Sequence, residues 1–188
     1  NDAGTSIGVA KLSWHTSQND STVRPQKSIY YGPEYSEEFL QYILDANKEA
    51  IKVTPTTKEE VAQLIADKNI VSIFQGRSEA GPRALGNRSI LFDPRNLNAK
   101  DIVNEIKKRE WYRPIAGIIL ESEFAKYFDT LGIKKSEYMT INFDCLSDTK
   151  NIVPGIIHVD NTCRIQTVSS GFLFELLTKF YERTGCPM

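Results

Sequence analysis

From Gln75 to Ser89 the chain reads Gln-Gly-Arg-Ser-Glu-Ala-Gly-Pro-Arg-Ala-Leu-Gly-Asn-Arg-Ser, and no regular element accommodates that run. Its three glycines and one proline destabilise a helix too strongly for one to form. Upstream, Ile70-Val71-Ser72-Ile73-Phe74 has the character of a short buried strand, and downstream Ile90-Leu91-Phe92 has it again. The stretch is therefore a constrained loop between strands, and the rest of the chain must fold around it. Arg77, Arg83 and Arg88 ride on this loop. Glycine lets a backbone come close to a ligand, and the guanidinium fork suits phosphate or carboxylate. An anion site, phosphate first, is one reading. A surface turn whose arginines pair with Glu79, Asp93 and other carboxylates is the other. No Walker-type Gly-Lys-Ser/Thr follows the loop to decide between them.

The remaining composition narrows the class. A chain of 188 residues suits one domain, or one domain plus a fragment. With 40% hydrophobic and 25% charged residues it can build a core and is not a disordered tract. A net charge of -1 argues against a broad nucleic-acid surface. No apolar run reaches the length of a membrane helix and no signal peptide opens the chain, so no membrane role and a cytoplasmic setting are expected. Cys145, Cys163 and Cys186 are odd in number and far apart, without zinc or disulfide spacing. The opening on Asn1 and the stop at Met188 both read as cuts within a longer protein.

Along the chain, residues 1–32 read as a tail, polar and aperiodic from Ser17 to Lys27. Ser36 caps a helix carrying Phe39, Leu40, Ile43 and Leu44 on one face. Ala50–Val53 resembles a strand. Thr57, with Glu59 and Glu60 behind it, opens a second helix with Val61, Leu64 and Ile65 inward. Asn98 is expected to cap a third, whose stripe is Ile102, Val103 and Ile106 and which ends in Lys107-Lys108-Arg109. Pro114–Leu120 is a strand and Ser122–Phe128 a short helix. Tyr138–Cys145 and Thr162–Ser169 alternate as strands. Gly171–Thr184 is a final helix with Phe172, Leu176, Leu177 and Phe180 inward. The interleaving predicts an α/β fold with a twisted, mixed β-sheet flanked by helices.

Two further constellations carry polar chemistry. In Lys107–Pro114, four cations and two aromatics sit where a helix hands over to a strand. Trp111 or Tyr112 could stack on a base, or both could cap the core. In His158–Thr167, the side chains of His158, Asp160, Thr162, Arg164 and Gln166 would share one face of an extended segment. A solvated strand face is the alternative. No serine or cysteine nucleophile stands beside His158 to make a triad, and Cys163 falls on the opposite, core-facing side.

Together these segments resemble the C-terminal half of the O-carbamoyltransferases of the NodU type, which decorate nodulation factors and antibiotics. The family signature Gly-Arg-x-Glu-x-Gly-Pro-Arg-Ala-Leu-Gly-Asn-Arg-Ser matches Gly76 to Ser89. A Lys-x-Arg-Glu-x-x-Arg-Pro run matches Lys107 through Pro114, and a His-Val-Asp-x-Thr-x-Arg-x-Gln-Thr-Val block matches His158 to Val168. Tyr31–Tyr35 and the Thr184-Gly185-x-Pro187 ending also fit. Asn161 stands where the family has glycine and Ala80 where an aromatic is common.

The resemblance implies residues 1–32 as the remnant of an N-terminal actin/sugar-kinase-like module plus linker. Residues 33–188 would be a YrdC-like carbamoyltransferase C-terminal domain, truncated at both ends relative to the parent, because the family continues past the Thr-Gly-x-Pro ending. It implies ATP, with Mg2+, and carbamoyl phosphate as substrates of carbamoyl-adenylate formation. The carbamoyl group then goes to a hydroxyl of a sugar, nodulation-factor or antibiotic-like acceptor. A divalent metal such as iron would belong to the N-terminal module, the partner of this domain, and Asp2 matches one ligand position. Arg83, Lys108 and Arg113 are the expected catalytic cations. Arg77, Glu79, Gly81, Gly86, Asn87, Arg88, Ser89, Arg109, His158, Asp160, Thr162, Arg164, Gln166 and Thr167 are the expected substrate- and nucleotide-binding residues. A YrdC-like module that binds nucleotide or RNA without catalysis is the alternative.

Overall fold

A computed structural model describes residues 3–24 and 28–188; Asp2 lies outside them. The chain divides into two compact units, each discontinuous in sequence. Unit 1 takes residues 1–53 and 74–88, and unit 2 takes residues 54–73 and 89–188.

Unit 2 holds the α/β core. Its sheet has the order β3-β6-β5-β4, with β3 at Gly117–Leu120, β4 at Phe128–Asp129, β5 at Asn142–Cys145 and β6 at Thr162–Val168. β3 lies parallel to β6, Gly117 opposite Ile165, whereas β5 runs antiparallel to it, Phe143 opposite Cys163. The sheet is thus mixed, as the closely spaced strands predict. β6 occupies the middle because its residues from Ile165 to Val168 are buried without a break, which only a strand covered on both faces tolerates. Against the sheet pack α3 (Lys58–Ala66) and α7 (Gly171–Thr184) through Ala62, Ile65, Leu173, Leu176, Leu177 and Phe180. Phe124 of α5 (Phe124–Tyr127) sets its ring edge-on to Phe143 at 4.9 Å.

α3 starts on the capping box that Thr57 and Glu60 announce. α4 (Ala99–Ile106) departs from expectation. Asn98 makes no side-chain cap, since its own N–H is held by Asn96 Oδ1 at 2.9 Å. The helix buries Ala99, Val103 and Asn104 and leaves Ile106 exposed. Its start is gripped by the 3-10 turn Pro154–Ile156, followed from α6 (Thr149–Ile152). Gly155 donates its N–H to the Pro94 carbonyl at 3.0 Å, an approach that leaves no room for a side chain.

The expected strand from Tyr138 begins only at Asn142, because Met139 takes a left-handed φ of 51° that breaks extended backbone. Ala50–Val53 forms no strand. β1 (Val71–Phe74) and β2 (Arg88–Leu91) pair as a two-stranded sheet that brackets the arginine loop.

In unit 1 the expected tail contains a helix, α1 (Ala3–Gln18), on which Val9, Leu12 and Trp14 are exposed. No proline interrupts this stretch, which permits helix where polarity suggested coil. α2 (Glu37–Ala46) begins at Ser36, whose Oγ accepts from the Phe39 N–H, yet it buries no residue and shows Phe39, Leu40 and Ile43 to solvent. No helix among the described residues is long and apolar enough to cross a membrane.

Candidate functional site

The arginine loop is held by its own polar groups and by an extended segment of unit 1. Gly32 donates to the Ser78 carbonyl, Ser78 to the Pro33 carbonyl and Ala80 to the Ile29 carbonyl, at 2.9, 3.1 and 2.8 Å. The Glu79 carboxylate turns inward and accepts from the Leu85 and Asn87 N–H groups at 2.7 and 2.9 Å. Burial pushes this carboxyl up, but the backbone donors outweigh it and hold Glu79 below the ordinary carboxylate range. Gly76 and Gly86 take φ of 46° and 124°, a region closed to most side chains. Gly81 sits at the bend before Pro82.

The three arginines differ in what they do. Arg88 donates to the carbonyls of Gln75, Asn87 and Gly76 at 2.6, 2.8 and 3.0 Å and stacks 3.8 Å over the Phe74 ring. It braces the loop's two ends. Asn87 does similar service, its Nδ2 donating to the Arg77 carbonyl at 2.7 Å. Arg77 is exposed and makes one long bond to the Tyr31 carbonyl at 3.3 Å. Arg83 is half-buried on the loop. Asp93 pairs with Arg95 at 2.6 Å. Ser89 is buried within β2.

Unit 2 carries a second cationic element, Lys107 to Arg113, at the end of α4. Lys108 donates its N–H to the Glu105 carbonyl and Arg109 to the Asn104 carbonyl, at 3.0 and 3.1 Å. This is the double bond pattern of a Schellman ending, and the residue at its left-handed position is Lys108, with φ of 48°. Glycine is the residue that position favours. Lys107 and Lys108 are exposed, and Arg113 pairs with Glu110 at 2.6 Å. Burial and then Arg109 push Lys107 below its ordinary range; burial and then Arg113 do the same to Arg109. The turn is therefore crowded with like charge, which an anion would relieve. Trp111 and Tyr112 are 73% and 62% exposed. They do not cap the core, and Trp111 lies under the Lys100 ammonium at 5.7 Å.

Because β3 and β6 are parallel neighbours, the segments preceding them emerge at the same edge of the sheet. The cationic turn leads into β3 and the His158–Asn161 turn leads into β6. The expected common face is shorter than the alternation suggested: His158 donates its N–H to the Thr162 carbonyl at 2.9 Å and closes a turn, so β6 begins at Thr162. Asn161 holds a φ of 66°, a backbone conformation that favours glycine. Within the turn Asp160 Oδ1 accepts from Thr162 N and Oγ1 at 3.0 and 2.7 Å, and His158 Nδ1 lies 3.1 Å from Thr162 Oγ1. These bonds, from the Thr162 side chain first, keep Asp160 below its ordinary range. Arg164 is half-buried one step along, while Gln166 and Thr167 are buried in the strand. Thr167 is tied to Ser136, whose N–H donates to its Oγ1 at 2.8 Å. It fastens the 131–138 loop and does not reach the turns.

Burial pushes His158 below its ordinary value of 6.5, against the pull of the Ile115 carbonyl and Asp160, and Arg164 lowers it further. The unfolded chain thus takes up a proton that the folded chain refuses, and stability falls as pH drops below 6.5. Denaturation midpoints taken between about pH 7 and about pH 5 are expected to fall more steeply for the wild type than for His158→Gln; equal slopes would show that this imidazole is not the source.

Among the described residues, no group of three His, Cys, Asp or Glu side chains is placed to hold a metal ion. Cys145, Cys163 and Cys186 are free and buried, with Cys163 pushed up to about 12 by burial, so none is a ready nucleophile. Sequence reasoning missed Asn104, whose buried carboxamide sits beneath the cationic turn. The Lys107-Lys108-Arg109 ending drew attention past it to the charges.

Residues 62–188 match the carbamoyltransferase C-terminus family, and the chain belongs to that family. It is 36% identical to the nodulation protein NolNO of Sinorhizobium fredii, across 100% of this chain and 29% of that protein. It is 31% identical to nodulation protein U of Bradyrhizobium diazoefficiens, across 100% of this chain and 32% of that protein. An uncharacterised Methanocaldococcus jannaschii protein, MJ1058, is 34% identical across 98% of this chain and 32% of its own length. The chain spans about a third of the length of the curated relatives it matches.

Proposed function

We propose that this chain is the activating domain of an O-carbamoyltransferase, binding ATP and carbamoyl phosphate and forming carbamoyl-adenylate. One observation carries the reading: the turn from Lys107 to Arg113 crowds cations at a sheet edge and holds Lys108 left-handed and exposed. Membership of the carbamoyltransferase C-terminus family supplies the reaction class.

The chemistry balances in three steps. Carbamoyl phosphate loses its phosphoryl group to water as inorganic phosphate, leaving carbamate. A carbamate oxygen attacks the α-phosphorus of ATP and pyrophosphate departs. An acceptor hydroxyl then attacks the carbamoyl carbon, its proton passes to a base, and AMP leaves. Each phosphoryl step gathers negative charge, and fixed cations stabilise it without proton transfer. In this reading Lys108 and Arg113 neutralise phosphate oxygens, Arg109 is held beside them, and Trp111 or Tyr112 offers a face to the adenine. The half-buried His158, which burial keeps neutral, is a donor or acceptor for the carbamoyl group. Magnesium bound to ATP would share the charge.

The N-terminal module is the natural partner. The exposed apolar residues of α1 and α2 would pack against it, and the acceptor sugar or antibiotic-like alcohol would bind there. A cytoplasmic setting is where ATP and carbamoyl phosphate are supplied.

Thermal unfolding with Mg–ATP tests the reading. A ligand present at about 100 times its Kd adds about 2.7 kcal/mol, which for a chain of this size raises Tm by about 5–11 °C. Lys108→Ala is expected to remove the rise. No rise in the wild type would overturn the reading. A rise given equally by RNA and erased by added salt would replace it with a general polyanion surface.

A further inference from the structure

The cationic turn is fastened from beneath by one side chain. Asn104 lies in α4, 2% exposed. Its Nδ2 donates to the carbonyls of Trp111 and Arg113 at 3.1 and 2.9 Å. Its Oδ1 accepts from Arg109 Nε at 2.5 Å, and its backbone carbonyl takes the Arg109 N–H at 3.1 Å. A carboxamide has two donor hydrogens and one acceptor oxygen, and here all are engaged. Two of the tethered groups are backbone carbonyls seven and nine residues downstream, so the bonds fix the path of the turn as well as one cation. No other side chain of this volume offers the same set. Aspartate lacks the donors and leucine lacks everything but the shape.

We propose that Asn104 is the positioning residue of the phosphate-handling turn: its carboxamide sets where Arg109 points and where the Trp111–Arg113 backbone runs, and so where the turn presents its cations to an anionic substrate. The proposal rests on the functional reading given above. Asn104 touches no substrate in it and acts through Arg109 and Arg113.

Two shape-preserving variants, Asn104→Leu and Asn104→Asp, separate positioning from packing. The measurements are Mg–ATP affinity well below Tm and hydrogen exchange of the amides from Lys108 to Arg113, with Lys108→Ala as control. The expected result is exchange in the turn at least about 10-fold faster with β3 and β6 unchanged, and Mg–ATP binding at least about 10-fold weaker, about 1.4 kcal/mol. A residue that only fills space would be replaced by leucine without either effect. If one variant fails to fold, the other decides. A wild type that binds Mg–ATP, loses it in Lys108→Ala and keeps it in both Asn104 variants overturns this proposal alone. A wild type that does not bind Mg–ATP overturns the functional reading and the proposal with it.

Discussion

Replacing Lys108 by glycine is expected to leave the protein about as stable as before and, in the reaction proposed above, to slow carbamoyl phosphate activation sharply. The argument rests on where Lys108 sits. It occupies the left-handed position of a Schellman ending, with φ of 48°. A side chain in that conformation costs about 1–2 kcal/mol, and glycine would recover this while losing about 0.5–1 kcal/mol to its freer unfolded chain. The balance runs from about zero to about 1.5 kcal/mol of stabilisation. Nothing in the fold therefore calls for lysine, whose ammonium is exposed at the crowded turn. Strain of this kind persists where a function requires it. In the proposed reaction, loss of one fixed charge at the phosphates should slow pyrophosphate release by about 10²–10³. Parallel measurement of Tm and of carbamoyl phosphate-dependent pyrophosphate release checks both halves. A Lys108→Gly protein with unaltered turnover would remove Lys108 from the site; one that unfolds would show the lysine to be structural.

A methyl group added at Gly155 should damage the fold more than most surface changes and reach the cationic turn indirectly. An ideal Cβ there would lie 2.3 Å from the Asn96 carbonyl oxygen, 2.7 Å from the Ala99 Cβ and 3.0 Å from the Pro94 carbonyl oxygen. Two of these neighbours are backbone, so the clash cannot be resolved by a rotamer change. Overpacking of this kind costs about 1–3 kcal/mol, or about 2–12 °C of Tm for a chain of this length. The segments that must shift are the start of α4 and the turn before it, and α4 carries Asn104 near its other end and leads into Lys108. Gly155→Ala should therefore lower Tm and weaken the proposed Mg–ATP binding together, whereas Lys108→Gly should separate the two. A Gly155→Ala protein with wild-type Tm would show that the 3-10 turn is free to move away.

What the sequence discloses and what it hides follow from the range of the interactions. The Thr57–Glu60 capping box and the Ser36 cap are local bonds, and both appear. The last helix and the mixed sheet are written in periodicity and spacing, and both appear, though Leu173 is buried where Phe172 was expected to be the more deeply inward. Ala50–Val53 has strand-like residues but no neighbouring strand to pair with, and extended character alone does not make one. Asn104 could not be read at all, because a buried amide is recognised by the carbonyls it finds, and these arrive through the turn of the chain. For the site, the cationic motifs were legible from residue type. That Glu79 and Arg88 hold the loop's backbone, or that the His158 alternation ends in a turn, required the path of the main chain.

The interleaving of the two units also governs the order in which they can form during synthesis. The Ile29–Pro33 segment emerges before the loop it clasps, which follows only after α3 and β1, and one of their bonds joins residues 46 apart in sequence. Unit 2 closes later still, since β6, the strand that joins β3 to β5, is made after both of them. The exposed apolar residues of α1 and α2 are therefore made before unit 1 can close at Arg88 and well before unit 2 can. Long closures of this sort slow folding more than they weaken the product. A chaperone that shields the segment holding α1 and α2 until Arg88 has emerged would meet the need that this arrangement creates.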